Sequence, residues 1–196
     1  FQTMADSSDG LIVLSGGSKG PVDRALLSGQ GELAETRLKR LHTVFGDRLY
    51  VEIQRHGLAD ETAIEGDLID LAYRLELPLV ATNEAYFAKP TSYAAHDALL
   101  AIADGRLVSD PERRRVTAEH DFKSRAAMKK LFADLPEAVS NTIEIALRCS
   151  FRPQTRKPIL PSFTTGDAQS PLDEATALRK LAVEGLTARL KTHGLA

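Results

Sequence analysis

The chain has 196 residues, of which 43% are hydrophobic and 27% are charged, and its formal net charge is -2. This composition is typical of a soluble globular protein, and the length suffices for one domain with an appended piece. The near-neutral charge argues against nucleic-acid binding by bulk electrostatics, because domains of that type are strongly basic. The single cysteine, Cys149, excludes a disulfide within this sequence and a cysteine-cluster metal site, which favours a reducing cytoplasm.

The sequence shows neither a membrane-spanning run nor a secretory signal. No stretch approaches about 18 consecutive apolar residues. Residues 1–10 lack a basic region followed by an apolar one. Because Met4 lies inside the sequence rather than at its start, we expect a segment of a longer, cytoplasmic protein with no membrane partner.

The first half of the chain alternates between predicted strands and helices. The apolar run Leu11–Leu14 precedes glycines, which predicts a strand buried on both faces. Two helices follow, the second with apolar residues at helical spacing before Gly46, and then a strand over Leu49–Gln54. A helix from about Asp60 and a strand over Leu79–Thr82 complete a pattern of parallel crossover units. Three strands are too few for a finished α/β domain, so we expect a partial one.

The second half is predicted to be mainly helical. Helices are expected over 92–104, 124–133 and 136–149, with Pro136 in the first turn of the last one. The stretch 151–169 is rich in proline, threonine and basic residues, which predicts an extended linker. Ser170 and Pro171, followed by acidic residues, predict the start of a helix over 170–196. We therefore expect a domain portion over 1–150, a linker over 151–169 and a further helix over 170–196.

The strand over Leu49–Gln54 carries a polar row. Glu52 and Gln54 share one face of this strand, and His56 joins them if the extended conformation continues. Parallel α/β folds and barrels build their sites from such residues at the carboxyl ends of strands. The alternative, which the sequence alone favours, is that Glu52 and Gln54 satisfy neighbouring backbone groups while His56 caps a loop. No nucleophile, base and orienting group stand together, so we predict no catalytic and no cofactor-binding residue.

Other polar residues point to ordinary structural roles. Glu84 follows the third strand and can ligate a cation through its carboxylate, although zinc normally takes three or four protein ligands. His42 and His120 have charged or polar neighbours and are predicted to be solvated. Asp97 lies near a helix start, where its charge complements the helix dipole. The run Arg113–Arg115 is predicted to be a solvated turn, unless it lies beside a nucleic-acid channel.

Eight blocks of sequence carry a resemblance to a known family. Three of them contain the predicted strands: Gly10–Gly17, Asp47–Gly57 and Pro78–Glu84. The other five follow in the same order and spacing: Ala95–Leu100, Phe122–Ser124, Leu131–Ala138, Asn141–Ala146 and Lys157–Pro161. Together these blocks resemble the later part of the PHP domain of bacterial DNA polymerase III alpha subunits, and the start of the region that follows it. The resemblance covers nearly the whole chain.

This resemblance implies a fold and a metal site. PHP domains resemble distorted (β/α)7 barrels, so the chain is expected to hold a partial PHP-type barrel of about three strands. Active members hold a trinuclear metal centre that hydrolyses phosphoesters. The histidine of the family's Gln-x-His-Gly block falls on His56, and its final Asp-x-His pair falls on Glu84 and Tyr86. Because tyrosine is a poor substitute for a neutral imidazole, His56 and Glu84 are expected to be vestigial metal ligands.

The resemblance also implies a function in DNA replication. The expected role is a non-catalytic scaffold and interaction region of a replicative polymerase, whose nucleotide-adding site lies in later domains and uses Mg. Expected partners are the other polymerase III holoenzyme subunits, in some bacteria the proofreading exonuclease, and DNA through the parent chain. One alternative is a metal-dependent phosphoesterase or proofreading module with Zn or Mn, against which Tyr86 argues. Another is a standalone PHP-like protein, against which the segment Pro158–Ala196 argues.

Overall fold

The predicted strands pair into a parallel sheet in the computed structural model, which describes residues 2–159 and 174–194. The strands are β1 (Val13–Leu14), β2 (Leu49–Gln54) and β3 (Leu79–Thr82). Their order is β1-β2-β3, with Val13 opposite Leu49 and Val51 opposite Leu79. The prediction of an α/β arrangement of about three parallel strands is therefore confirmed, whereas its assignment to a partial PHP-type barrel stays a prediction.

The central strand β2 alternates as predicted. Leu49, Val51 and Ile53 are buried in the hydrophobic core, whereas Glu52 and Gln54 are half-buried on the other face. Because successive side chains of a strand point to opposite faces, the apolar residues pack into the core while Glu52 and Gln54 line the opposite face of the sheet.

The strand β1 is shorter and more exposed than predicted. Val13 and Leu14 are half-buried, and Leu11 is 48% exposed and lies outside the strand. The prediction of a strand over Leu11–Leu14 that is buried on both faces is therefore wrong. The physical reason is that β1 pairs only with β2 within the described residues, so its outer edge has no neighbouring strand.

The helices that precede and separate the strands supply much of the core. They are α1 (Gln2–Asp6), α2 (Pro21–Leu27), α3 (Gly31–Phe45) and α4 (Ala59–Arg74). The helices α2 and α3 connect β1 to β2, and α4 connects β2 to β3. Leu38 and Phe45 of α3 and Leu71 of α4 are buried in one cluster, as the helical spacing predicts. The helix α3 ends at Gly46, whose φ of +54° is a left-handed conformation that suits glycine.

Three helices follow β3 in the same part of the chain. They are α5 (Tyr93–Ala103), α6 (Arg125–Leu131) and α7 (Pro136–Arg148), each within two residues of its predicted ends. Short 3-10 turns occupy Gly46–Arg48 and Pro90–Ser92. The helix α7 packs against β3, where the side-chain amide of Asn141 donates to the carbonyl of Leu79 at 2.7 Å.

The residues from 151 onward form a second compact unit, which is described by itself. Residues 151–159 contain no helix or strand, and α8 spans Glu174–His193. The rest of the predicted linker, 160–169, and the ends of the predicted helix, 170–173 and 195–196, lie outside the described residues. The predicted boundaries of the three regions stay predictions. Among residues 2–159 and 174–194, no helix is long and apolar enough to cross a membrane.

Candidate functional site: a polar cleft at the strand ends

A cleft of about 770 Å³ opens at the carboxyl ends of β2 and β3. Its walls combine polar side chains from both strands and the loops that follow them: Glu52, Gln54, His56, Thr82, Glu84 and His120. The structure therefore brings the predicted residues His56 and Glu84 into one cleft. The reason is topological, because neighbouring parallel strands end at the same edge of a sheet.

Both ring nitrogens of His56 are hydrogen-bonded, and its side chain is only 1% exposed. The backbone N–H of Glu84 donates to Nε2 at 3.0 Å. Since a backbone N–H can only donate, Nε2 accepts, and the ring proton lies on Nδ1. That Nδ1–H donates to Oε1 of Glu61 at 2.7 Å. His56 is thus a neutral imidazole that joins the end of β2 to α4 and to the loop after β3.

Glu61 holds the loop that carries His56. Its Oε2 accepts from the backbone N–H of His56 at 2.6 Å and from that of Leu58 at 3.3 Å. Burial opposes ionisation of this carboxyl, but the hydrogen bonds from the ring and backbone of His56 outweigh it and lower the pKa of Glu61. Sequence patterns do not single out Glu61. Its only local signal is its place three residues after the N-cap Leu58 of α4.

His120 is buried, so the prediction that it is solvated is wrong. Its side chain is 3% exposed, and its ring stacks on that of His56 with centroids 4.1 Å apart and 16° between the planes. The backbone N–H of Thr117 donates to Nδ1 of His120 at 3.2 Å, which places the ring proton on Nε2. Burial and then the nearby His56 lower the pKa of His120. The stacking partner lies in the loop after β2, far away in the sequence, and the polar neighbours of His120 do not reveal it.

Tyr86 stands where the resemblance places a histidine, and it engages the predicted ligand Glu84. Its hydroxyl donates to Oε1 of Glu84 at 2.6 Å. This hydrogen bond, together with burial, raises the pKa of Tyr86. The ring of Tyr86 also lies 5.5 Å from that of His120, nearly parallel to it. One carboxylate oxygen of Glu84 is therefore occupied by the residue that follows it by two positions.

The polar row of β2 is satisfied by side chains rather than by neighbouring backbone. The hydroxyl of Thr82 donates to Oε1 of Glu52, and Nε2 of Gln54 donates to Oγ1 of Thr82 at 3.1 Å. The hydroxyl oxygen of Ser15 accepts from the backbone N–H of Glu52 at 3.0 Å. The expectation that Glu52 and Gln54 satisfy backbone groups is therefore wrong, because they form a side-chain network with β3.

Asp23 is a buried carboxyl close to this network. It lies in the first turn of α2, is 4% exposed, and has no hydrogen-bond partner for Oδ1 among the described residues. Together with Glu52 it lines a cavity of about 10 Å³, which is close to the volume that one water molecule needs. Burial and then the charge of Glu52 raise the pKa of Asp23 to about 7. An acidic residue in a first helical turn is ordinary, so the sequence does not indicate this environment.

Arg113 is also buried, which contradicts the prediction of a solvated turn. Its side chain is 1% exposed, and its NH1 donates to Oδ1 of Asp97 at 2.6 Å while NH2 bonds Oδ2. These hydrogen bonds lower the pKa of Asp97. Asp97 therefore serves as the partner of a buried arginine, in addition to any interaction with the dipole of α5. The neighbouring Arg115 lines the polar cleft.

Arg55 fixes the strand end next to His56. Its guanidinium pairs with Glu65 at 2.9 and 2.7 Å and with Asp134 at 2.7 Å for both bonds. It also donates to the carbonyl of Leu131 at 2.7 Å and lies 4.8 Å from the ring centroid of Phe132. This arrangement joins the end of β2 to α4, to the end of α6 and to the turn between α6 and α7.

The cleft residues do not fit the metal centre that the resemblance implies. A histidine ligand needs a free ring nitrogen, and both nitrogens of His56 are used. Metal binding at Nε2 would also require the hydrogen bond from the backbone N–H of Glu84 to break. In the described part of the chain, no group of three or more His, Cys, Asp or Glu side chains is arranged to hold a metal. This geometry favours structural roles for His56 and Glu84, and their assignment as vestigial ligands stays a prediction.

Comparisons with known proteins identify relatives of this chain. The PHP domain family matches residues 1–56. The DNA polymerase III subunit alpha of Caulobacter vibrioides is 55% identical over 188 residues, which is 96% of this chain and 16% of that subunit. The subunit of the same name from Rickettsia bellii is 41% identical over 98% of this chain and 16% of its own length. The subunit from Vibrio cholerae is also 41% identical, over 83% of this chain and 14% of its own length. The chain thus spans 16% of the length of the first curated relative it matches.

Residues 1–56, which contain β1 and β2, are therefore similar in sequence to the PHP domain family. The predicted resemblance to bacterial DNA polymerase III alpha subunits is confirmed as well, because the similarity to those subunits covers almost all of the chain.

Proposed function

We propose that this chain is part of the alpha subunit of a bacterial replicative DNA polymerase and acts there as a non-catalytic scaffold and interaction region. The main observation in support of the scaffold role is the hydrogen bonding of His56. One ring nitrogen binds Glu61 at the start of α4, and the other binds the backbone of Glu84 after β3. A histidine held in this way joins two segments of the fold and has no free ring nitrogen for a metal.

The similarity to alpha subunits supports the activity proposed for the parent protein. In this proposal, later domains of the parent carry out DNA-directed DNA synthesis and use Mg at their own site. The parent protein is proposed to be cytoplasmic. The proposed partners are the other holoenzyme subunits, with the proofreading exonuclease among them, and DNA through the parent chain.

A metal-dependent phosphoesterase or proofreading module, with Zn or Mn, is the second candidate. One observation favours it: His56, Glu84 and His120 line the same cleft, whose volume of about 770 Å³ suits a small substrate. The two hydrogen bonds of the His56 ring argue against it, because a ligand role requires one of them to break.

Metal content and polymerase activity of the full-length parent subunit test the two proposals. The protein is purified without chelators or a histidine tag, and its zinc, manganese and iron are measured by mass spectrometry. The scaffold role predicts no stoichiometric metal, and it predicts that His56→Ala lowers stability but leaves nucleotide incorporation per folded molecule near normal. His42→Ala is the matched control, because His42 is an exposed histidine on α3.

Two results would contradict the scaffold role, and the first of them would also favour the second candidate. One is stoichiometric metal that is lost in the His56→Ala variant and retained in the control. The other is a large loss of nucleotide incorporation in His56→Ala without unfolding, which would contradict a purely structural role for this residue.

A further inference from the structure

A groove between α6 and α7 combines an apolar floor with a basic rim. Its volume is about 270 Å³, and no residue lines both this groove and the polar cleft. The floor is formed by Ala81 of β3, Met128 of α6 and Val139 of α7. The groove is therefore a separate surface feature, located on the side of β3 that α7 covers.

The rim of this groove carries positive charge that the fold does not neutralise. Arg125 and Lys129 line the groove, and neither side chain has a hydrogen bond or an ion pair among the described residues. Lys123 lines it too, but this amine is paired with Asp121 at 2.5 Å and with Glu119 at 3.1 Å. The helix α6 has three basic residues and no acidic one, although the whole chain has a net charge of -2. The basic rim is thus local and unbalanced.

Exposed apolar side chains accompany the basic rim. Ile143 of α7 lines the groove and is 53% exposed. Phe122, which precedes Lys123 in the sequence but does not line the groove, is 76% exposed. An exposed apolar side chain at a groove with an apolar floor and a polar rim suits a surface that binds another protein.

We propose that this groove binds a peptide segment of a partner protein that combines acidic with apolar side chains. Its acidic side chains pair with Arg125 and Lys129, and its apolar side chains fill the floor and cover Ile143. A nucleic-acid backbone complements only the rim, because phosphate and sugar offer no apolar group for the floor. This inference rests on the proposed scaffold role, which requires a surface for partner proteins.

Fluorescence anisotropy with the full-length subunit tests the charge complementarity. The probe is a short fluorescein-labelled peptide of glutamate and leucine, and the reference peptide has glutamine in place of glutamate. Lys129→Glu should weaken binding of the acidic peptide by about tenfold, and added salt should weaken binding to the unmodified protein. Lys130→Glu is the matched control, because Lys130 lies on the same helix but does not line the groove. Its effect should stay below about threefold.

A second pair of variants tests the apolar contribution. Ile143→Asp should weaken binding, whereas Leu147→Asp should not, because Leu147 lies one turn further along α7 outside the groove. Both side chains are more than half exposed, so both variants should fold, which circular dichroism verifies.

Three outcomes would overturn the proposal. The first is that the acidic peptide binds no better than the glutamine peptide. The second is that Lys129→Glu and Lys130→Glu weaken binding equally. The third is that a single-stranded oligonucleotide binds the groove more tightly than the acidic peptide. The metal measurement on the polar cleft is independent of these variants. A failure of the groove proposal is therefore distinguishable from a failure of the scaffold role.

Discussion

Replacing Glu61 with alanine should destabilise the fold by removing the acceptor of three hydrogen bonds. The donors are the backbone N–H of His56 at 2.6 Å, the Nδ1–H of its ring at 2.7 Å and the backbone N–H of Leu58 at 3.3 Å. His56 is 1% exposed, so water does not reach its two donors unless the loop opens. The variant therefore leaves buried donors unpaired, which is the costly way to lose a hydrogen bond.

The expected loss of unfolding free energy is about 3 kcal/mol. A hydrogen bond to a charged acceptor contributes about 1.5–3 kcal/mol, and the two shorter bonds dominate here. The desolvation cost of the buried Glu61 carboxylate disappears in the variant and offsets part of this loss. Because folding lowers the pKa of Glu61, its stabilisation is complete above the unfolded value of 4.5 and is lost as the pH falls through the folded value. The difference between wild type and Glu61→Ala should therefore shrink under acidic conditions.

Urea unfolding of the 196-residue chain, followed by circular dichroism at neutral and acidic pH, measures this difference. Asp60→Ala is the matched control, because Asp60 is an exposed acid in the same first turn of α4. Its loss should cost only about 0.3–1 kcal/mol through the helix dipole. Equal destabilisation by Glu61→Ala and Asp60→Ala would refute the reasoning, since the buried hydrogen bonds would then contribute nothing beyond the charge.

Two further substitutions test other buried charges. Asp23→Asn should stabilise the chain under alkaline conditions by up to about 4 kcal/mol, because a pKa raised from 3.8 to about 7 corresponds to about 1.4 kcal/mol per unit. The stability that the protonated Asp23 provides is lost as the pH rises through about 7. The thermal unfolding temperature of the wild type should therefore be lower at pH 8 than at pH 5, and that of the variant should lack this decline. A wild type without the decline would contradict the raised pKa of Asp23. Arg55→Lys should lower the unfolding free energy by about 2 kcal/mol, because an ammonium group cannot make two paired contacts with carboxylates. In the control Arg74→Lys, the exposed pair with Glu35 should contribute little, and equal losses in urea unfolding would argue against a special role for Arg55.

Apart from α1 and the bounds of β1, the sequence by itself determined the main elements of the fold and their order. Apolar residues recur with a period of two in β2 and at helical spacing in α3 and α4, and these periods depend only on local backbone geometry. The same patterns placed His56 and Glu84 after neighbouring parallel strands, so their meeting in one cleft was predictable from topology. The ordered sequence blocks were sufficient to indicate the family.

Only the tertiary structure decided which polar side chains are buried and what they bind. His120, Arg113 and Glu61 are polar or charged, and such residues are ordinarily exposed, so the sequence favours solvated positions for them. Each is buried because a partner from another segment offsets the cost of desolvation: the ring of His56, the carboxylate of Asp97 and the backbone around His56, respectively. The contacts of His120 and Arg113 join separate segments, and the contact of Glu61 depends on the shape of the loop that carries His56. None of them leaves a periodic signal, which is why the folded chain is needed to reveal them.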